Sequence, residues 1–409
     1  MDRIIFHVDV NSAFLSWEST RRLKTGQTDL REVPAIVGGD RNLRTSVVLA
    51  KSIPAKRYGI QTGEPVSMAL RKCPSLIVAE PDFSLYKECS DRFMSICRDF
   101  SPLVEQFSID ECFLDMTGME LLWPDIRAAA DGLRERIRNE LGFTVNVGIG
   151  NNKFLAKTAS DFEKPDKTHT LYLHEIEEKL WPLPVSDMLF VGKSTAEKLI
   201  RANICTIGQI AAADPAVLCS KLGEKQGAQV MRYAHGVDDS PVCTSRGKSK
   251  SFSIVTTVED NVTETERAHR ILLTLAEDLT HRMRTEEMMA GTVAVTIRGL
   301  DFKDRSHQCS LFQPTDSSSE VYRQACSLFD TLWDGKTPLR LIGISLTDLC
   351  SGEETPLLLF SDEQNSRKQE LDRVMDRIRD KYGYSAIRRA SEEKNAGREG
   401  RKEKEDPES

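Results

Sequence analysis

The stretch VEQFSIDECFLDMT, residues 104–117, reads as two short strands joined by a polar turn at Ser108–Glu111. Apolar residues flank the turn closely on both sides, so Asp110 and Glu111 stand at the tip of an apolar hairpin. Upstream, RIIFHVDV (3–10) is apolar on both faces, the pattern of a strand in the middle of a sheet, and Asp9 lies at its end. Strand ends project side chains into a solvent-reachable cleft while the sheet fixes their positions. Two adjacent hairpin strands can bring Asp110 beside Asp9. Carboxylates crowded in this way repel one another unless a divalent cation neutralises them. Taken alone, an Asp-Glu pair in a β-turn also reads as a merely solvated turn.

Outward from these strands, residues 11–26 form a helical pattern ending at Gly26. Val- and Ile-rich runs at 33–37 and 45–50 bracket the turn GGDRN (38–42), a small hairpin module. Helices are expected at about 51–58, 65–72, 84–100, 124–141 and 151–162, with a strand at 144–150. Strand, helix-rich insert, hairpin, helix, strand is the order of an α+β palm with an insertion. From Pro182 to Pro241 the pattern is all helical, with short helices split by Gly192, Gly208 and Gly236. Strands at 249–258 and 291–298 surround a long helix at 264–286. A further strand holds QCSLF (308–312), and helix 318–333 and strand 339–348 follow. The resulting β-α-β-β-α-β order is ferredoxin-like. A polar linker, an apolar knot (Pro356–Phe360), a helix at about 366–382 and a charged tail from Ser391 complete the chain, and the tail reads as disordered.

With 409 residues and 39% hydrophobic content, the chain can bury a core in each of two to four domains. Its net charge of −7 excludes a uniformly basic nucleic-acid coat, so any contact with DNA must come from local basic patches. None of the ten cysteines forms a CxxC pair, which argues against a zinc site and for reduced thiols. No apolar stretch approaches the roughly 20 residues of a membrane helix, and the first residues lack a signal-peptide pattern. The expectation is a soluble, cytoplasmic protein with no membrane partner. The triplet GGD (38–40) is a weak hint of a nucleotidyl cyclase, followed here by Arg and Asn.

Four segments carry a family resemblance. HVDVNSAFLSWE (7–18) and SIDECFLDMT (108–117) resemble the two metal-binding motifs of Y-family DNA polymerases of the DNA polymerase IV type. VGIGNNKFLAKTASDFEKPD (147–166) resembles that family's third block, and VVLAKSIPAKRYGI (47–60) its finger segment; the likeness spans roughly residues 3–348. The resemblance implies an α+β right-hand polymerase. Its parts would be a palm (1–10 and 80–171), small fingers (11–79), a helical thumb with a helix-hairpin-helix (172–240) and a ferredoxin-like little finger (241–349). Residues 350–409 would be a linker with a clamp-binding-like peptide, a short helix and a disordered tail. It further implies error-prone, lesion-bypassing synthesis without proofreading, by two-metal transfer from dNTP to a primer 3′-OH. By the same resemblance, Asp9 and Asp110 bridge two Mg²⁺ ions, Glu111 ligates the catalytic one, and the Val10 carbonyl is a further ligand. Phe14 matches a steric gate that excludes a 2′-OH, with Ser12 and Ala13 beside it at the substrate; read alone, Phe14 is a core helix residue. Lys56, Arg57 and Lys164 match positions near the incoming triphosphate, where cations stabilise charge on the leaving pyrophosphate; alone, Lys-Arg in a helix is a solvated face. Three residues depart from the pattern. Asn11 replaces a frequent acid and should be dispensable for metal. Ile53 replaces a frequent Tyr, and Leu49 stands where a small residue usually roofs the templating base.

VSDMLFVGKSTAEKL (185–199) resembles a helix-hairpin-helix, in which Gly192 gives the turn and Lys193, Ser194 and Thr195 give phosphate donors. The first hairpin Gly of the usual pattern is Phe190 here, and an ordinary αα-corner remains the alternative. Arg246, Lys248 and Lys250 precede the first little-finger strand, and Arg298, Lys303 and Arg305 cluster near a later one, all plausible phosphate contacts. TPLLLFSDE (355–363) resembles a sliding-clamp-binding peptide through Leu357, Leu359 and Phe360, with Pro356 in place of the leading Gln. QCSLF matches better as a string but falls in an expected strand. The implied partners are primer-template DNA, dNTP and a sliding clamp, with the protein a monomer. A non-catalytic DNA- or clamp-binding paralogue is the alternative, and the intact Asp9, Asp110 and Glu111 argue against it.

Overall fold

Ile5–Val10 (β1) is buried along nearly its whole length because a strand pairs with it on each side. Glu111–Asp115 (β6) runs antiparallel along one edge and Val145–Gly150 (β7) along the other. Val104–Gln106 (β5) extends the sheet beyond β6, and Thr168–Leu171 (β8) pairs parallel to β7, giving the order β5-β6-β1-β7-β8. The structure, a computed structural model, describes residues 3–40, 43, 45–245, 247–351, 363–383 and 386–387. They fall in two compact units, 1–246 and 247–409.

The alternation of β1 sorts its side chains. Phe6, Val8 and Val10 face a core built with Phe93, Met94, Leu133 and Ile137, while Ile5 packs on the other face with Phe113 and Ala156. His7 and Asp9 share the face of Ile5 by the two-residue period of a strand. The first core is closed by two amphipathic helices, Phe83–Phe100 (α4) and Ile126–Leu141 (α5). Each starts at an aspartate cap: Asp82 accepts from Leu85 N at 3.1 Å, and Asp125 from Arg127 N and Ala128 N at 2.9 and 3.0 Å.

Between β1 and α4 lie Ala13–Lys24 (α1), Ala35–Gly38 (β2), Val48–Lys51 (β3), Ile53–Lys56 (α2), Val66–Lys72 (α3) and Ile77–Ala79 (β4). The expected hairpin forms as β2–β3, and β4 adds a parallel third strand on the other side of β2. The helix expected at 51–58 is limited to α2, because Lys51 still belongs to β3 and Ser52 caps the helix through Ala55 N at 3.1 Å.

On the opposite face of the main sheet lies Lys153–Ser160 (α6), capped by Asn152. It lies very close to β7. A Cβ on Gly148 would sit 2.0 Å from the Ala156 carbonyl oxygen, and one on Gly150 2.7 Å from Ala156 N. Only glycine permits that approach. The helical remainder of the unit, Lys193–Arg201 (α7), Ile207–Ala211 (α8), Pro215–Leu222 (α9) and Glu224–Ala234 (α10), packs with Phe154 and Leu155 of α6. Gly208 does not split two helices as expected. It lies inside α8, where a Cβ would press on Trp181 at 2.9 Å.

The second unit follows the expected β-α-β-β-α-β order: Phe252–Val262 (β9), Thr265–Thr285 (α11), Met288–Gly299 (β10), Asp304–Thr315 (β11), Ser318–Leu332 (α12) and Leu339–Ser351 (β12). The antiparallel sheet runs β11-β10-β12-β9, with α11 and α12 on one face. QCSLF lies in β11, as expected, with Gln308 paired to Ala294. Glu363–Tyr382 (α13) docks on this unit. Arg379 donates to Glu277 at 2.6 Å, both buried, and Arg284 donates to both oxygens of Asp376 at 2.6 and 3.0 Å. Arg246, the apolar knot with Leu357, Leu359 and Phe360, and the tail from Ser391 lie outside the described residues. Among the described residues no helix is long and apolar enough to cross a membrane.

Candidate active site

Sheet register brings the acidic residues together. Asp9 is the direct partner of Glu111 across β1 and β6, and Asp110 accepts from Val10 N at 3.0 Å through its carbonyl. Ser108 donates to the Asp110 carboxylate at 2.5 Å and fixes the turn. Thus the segments at 9–10 and 110–111 meet at one sheet end. Phe14 lies in the first turn of α1, half-buried and stacked on Tyr86 at 4.6 Å with the planes 14° apart. Tyr86 is itself fixed by donating to buried Glu18 at 3.0 Å. Ser12, between the acids and Phe14, has φ 49° in the left-handed region and starts α1 without a side-chain cap. The N–H groups of its first turn therefore have no side-chain acceptor from the cap, a setting that favours anions.

Two lysines lie against the acids. Lys157 of α6 is bonded to Glu111, which also accepts from or faces His7 Nε2 at 3.0 Å; His7 Nδ1 lies 2.7 Å from Ser160 Oγ. Lys164 is paired with Asp9 and, at 2.8 Å, with Asp161. The two carboxylates respond differently. Burial pushes Glu111 up, but the hydrogen bonds from His7 and Lys157 outweigh it and bring its carboxyl down to about 2. For Asp9 burial wins over Lys164, and its carboxyl is raised. Burial lowers the His7 imidazole, favouring its neutral form. Hard carboxylate oxygens next to displaceable ammonium groups are a donor set that fits Mg²⁺. As the side chains stand, no group of three His, Cys, Asp or Glu among the described residues is spaced to hold a metal.

Asn11 turns away from the acids. Its carboxamide accepts from Thr144 Oγ1 and Asp166 N, each at 3.0 Å, and donates to Asn146 at 3.2 Å. Lys56 and Arg57 are exposed on and just after α2, Ile53 is exposed beside them, and Leu49 is half-buried against the main core. His7, Lys157, Ser160 and Tyr86 had no part in the sequence reading of the site. Lys157 and Ser160 are three apart on one helix face, which groups them, but their partners lie on distant strands.

Comparison with known proteins supplies the family. The impB/mucB/samB family model matches residues 8–161, its C-terminal domain model residues 249–359, and the helix-hairpin-helix motif of the same family residues 175–204. DNA polymerase IV of Clostridium acetobutylicum is 44% identical over 391 residues, covering 95% of this chain and 98% of that protein. DNA polymerase IV 1 of Bacillus subtilis is 35% identical, covering 95% and 93%. The chain belongs to the Y-family DNA polymerases. A solved Y-family DNA polymerase chimera shares the fold with a TM-score of 0.74 at 20% identity, covering 85% of this chain and all of that one.

This Y-family polymerase is a translesion, DNA-directed DNA polymerase, a metal-dependent nucleotidyltransferase acting on template-primer DNA and dNTPs. Its thumb carries the helix-hairpin-helix. Gly192 starts α7 without a side-chain cap, Lys193 and Ser194 are exposed, and Thr195 accepts from Gln226 at 3.2 Å. In the little finger Lys248 and Lys250 are exposed. Arg298 is engaged by Asp304 through two bonds of 2.5 and 2.8 Å, while exposed Lys303 and half-buried Arg305 flank it. Sequence reasoning missed the sheet face opposite α11 and α12. Register puts Ser253, Val255, Ala294, Thr296, Ser306 and Gln308 there, all uncharged; Ser253, Val255, Ser306 and Gln308 are exposed, and Ala294 and Thr296 are half-buried.

Proposed function

We propose that the polymerase uses two Mg²⁺ ions held by Asp9, Asp110, Glu111 and the Val10 carbonyl. The observation that carries this is the register partnership of Asp9 with Glu111, with Asp110 bonded through its carbonyl to Val10 N. When bound, the ions supply neutralisation of the attacking and leaving oxygens in an in-line displacement. The chain's own groups do the positioning. Asp9 and Glu111 are acceptors on rigid strands, and the bonds from His7 and Lys157 hold Glu111 ionised. Lys157 and Lys164 balance that charge through their pairs with Glu111 and Asp9. Lys164, with Lys56 and Arg57, would serve the triphosphate, where cations favour the leaving pyrophosphate. The α1 N-terminus at Ser12 and Ala13 offers N–H donors to the same group. Phe14, braced by Tyr86, is the wall that rejects a 2′-OH.

In this reading the hairpin at Gly192–Thr195 grips the DNA backbone, together with Arg246, Lys248, Lys250 and the uncharged sheet face, without reading sequence. Leu357, Leu359 and Phe360 engage a sliding clamp, and the enzyme works as a cytoplasmic monomer without proofreading. A primer-extension assay with Mg²⁺, with Asp110→Ala as control, tests the active site. Extension is expected from the parent and none from the variant; equal extension by both would remove the assignment.

A further inference from the structure

The turn Met188–Val191 is closed by Val191 N–H donating to Met188 O at 3.0 Å, and it holds Phe190 at φ 65°. This left-handed conformation at the third position of a turn is one glycine adopts freely and a β-carbon resists. The residue placed there is large, aromatic and 60% exposed. Its ring rests on Tyr233 at 6.0 Å with the planes 28° apart, and Tyr233 is stacked on Phe154 at 4.6 Å. The ring is therefore supported from below and open above. Beside it runs a cleft of about 380 Å³ lined by Leu189, Leu222, Gly223, Lys225 and Gln226. Two residues on, Gly192 starts α7 uncapped, with exposed Lys193 next to it.

A strained backbone and an exposed aromatic both count against Phe190 in the free protein, and local strain of this kind marks functional positions. Covering the ring on binding would offset both. We propose that Phe190 is a DNA-positioning residue: its ring packs against the deoxyribose carbons of the strand whose phosphate the α7 N-terminus holds. This rests on the reading of the hairpin as a backbone grip. Sugars are the same at every step, so the contact suits an enzyme that must hold any template. It also differs physically from its neighbour. A lysine–phosphate contact releases counterions and is weakened by salt, whereas an apolar contact with sugar is not.

The test is binding of the full chain to a primer-template duplex over a series of KCl concentrations. Phe190→Gly gives the turn the residue it favours and keeps the hairpin. It is expected to weaken binding about five- to tenfold at every salt concentration with the salt slope unchanged. Phe190→Asn, also at home in the left-handed region, should lose affinity likewise, and Phe190→Trp should keep it. Lys193→Ala should instead reduce the slope by about one. Unchanged affinity in both Phe190→Gly and Phe190→Asn, or a slope reduced as in Lys193→Ala, would overturn the sugar contact while leaving the hairpin grip standing. If Lys193→Ala changes neither slope nor affinity, the hairpin grip itself fails and the Phe190 contact falls with it.

Discussion

Asp9 on β1 and Glu111 on β6 are direct register partners, so the spacing of two acidic side chains is fixed by main-chain pairing in the middle of a sheet. A site built on paired strands is held more firmly than one on loops. Asp110, on the turn, is held by its main-chain bond to Val10 N and by the Ser108 hydroxyl on its carboxylate.

Removal of the divalent ion or of its ligands should abolish synthesis. Chelation, Asp9→Asn and Asp110→Ala should each reduce single-nucleotide insertion about a thousandfold or more, the scale of several kcal/mol of lost charge neutralisation. Pre-steady-state insertion kinetics would check this, and an Asp110→Ala enzyme within tenfold of the parent would contradict it.

Sugar selection should depend on two rings. Phe14→Ala is expected to raise ribonucleotide insertion strongly with little loss of dNTP insertion. Tyr86→Leu, which removes the stacked support and the bond to Glu18, should give a weaker version of the same defect. The ratio of rNTP to dNTP insertion efficiencies is the readout; no change in Phe14→Ala refutes the wall.

The two paired acids should act on stability with opposite sign. The Glu111 carboxyl lies at about 2 against an ordinary 4.5, so its stabilising contribution is full above pH 4.5 and is lost as pH falls toward 2. The Asp9 carboxyl is raised above 3.8, so its ionisation costs stability as pH rises past that value. At pH 7 without divalent ions, Glu111→Gln should lower stability by about 1–2 kcal/mol, discounted for partial solvent access. Asp9→Asn should leave it unchanged or raise it. Thermal melts across pH measure both, and a destabilised Asp9→Asn would count against the balance described.

Asn11→Ala should separate structure from metal. Three hydrogen bonds are lost from a buried site, so a cost of about 1–3 kcal/mol is expected, with the Mg²⁺ dependence of the remaining activity unaltered. A shifted Mg²⁺ midpoint would mean that Asn11 contributes to the ion site after all.

Arg379→Ala leaves Glu277 buried without that partner and should destabilise the second unit by about 3–5 kcal/mol. Calorimetry of the full chain should show the later-assigned transition of that unit moving down while the other holds. An unaltered thermogram would indicate that α13 contributes little in solution.

Much of this was legible in the chain because the main strands are unmixed signals. FSIDECFLD alternates sharply between a polar tip and apolar arms, and RIIFHVDV has no competing helical period. The strands missed were short or weakly apolar: Ile77–Ala79 has three residues, and Thr168–Leu171 reads THTL, so tertiary pairing rather than local preference makes them strands. Gly208 was misjudged because its small size serves packing against Trp181, which local sequence does not reveal. In the site, the acids were legible by position, but their partners were not. His7 lies within an apolar strand pattern and Lys157 within a helical one, and only the packing of α6 on the sheet brings both to Glu111.

That folding turns on two residues with nothing to ionise. At Gly148 a single methyl group would collide with the Ala156 carbonyl and force α6 outward, and with it the ammonium of Lys157 and the hydroxyl of Ser160. The charge state of an acid on one strand is thus tuned by the bareness of another strand two places along in the same sheet. An alanine there would present as a chemical defect, a carboxylate with a displaced counter-charge, in a protein whose every titratable group is still in its sequence.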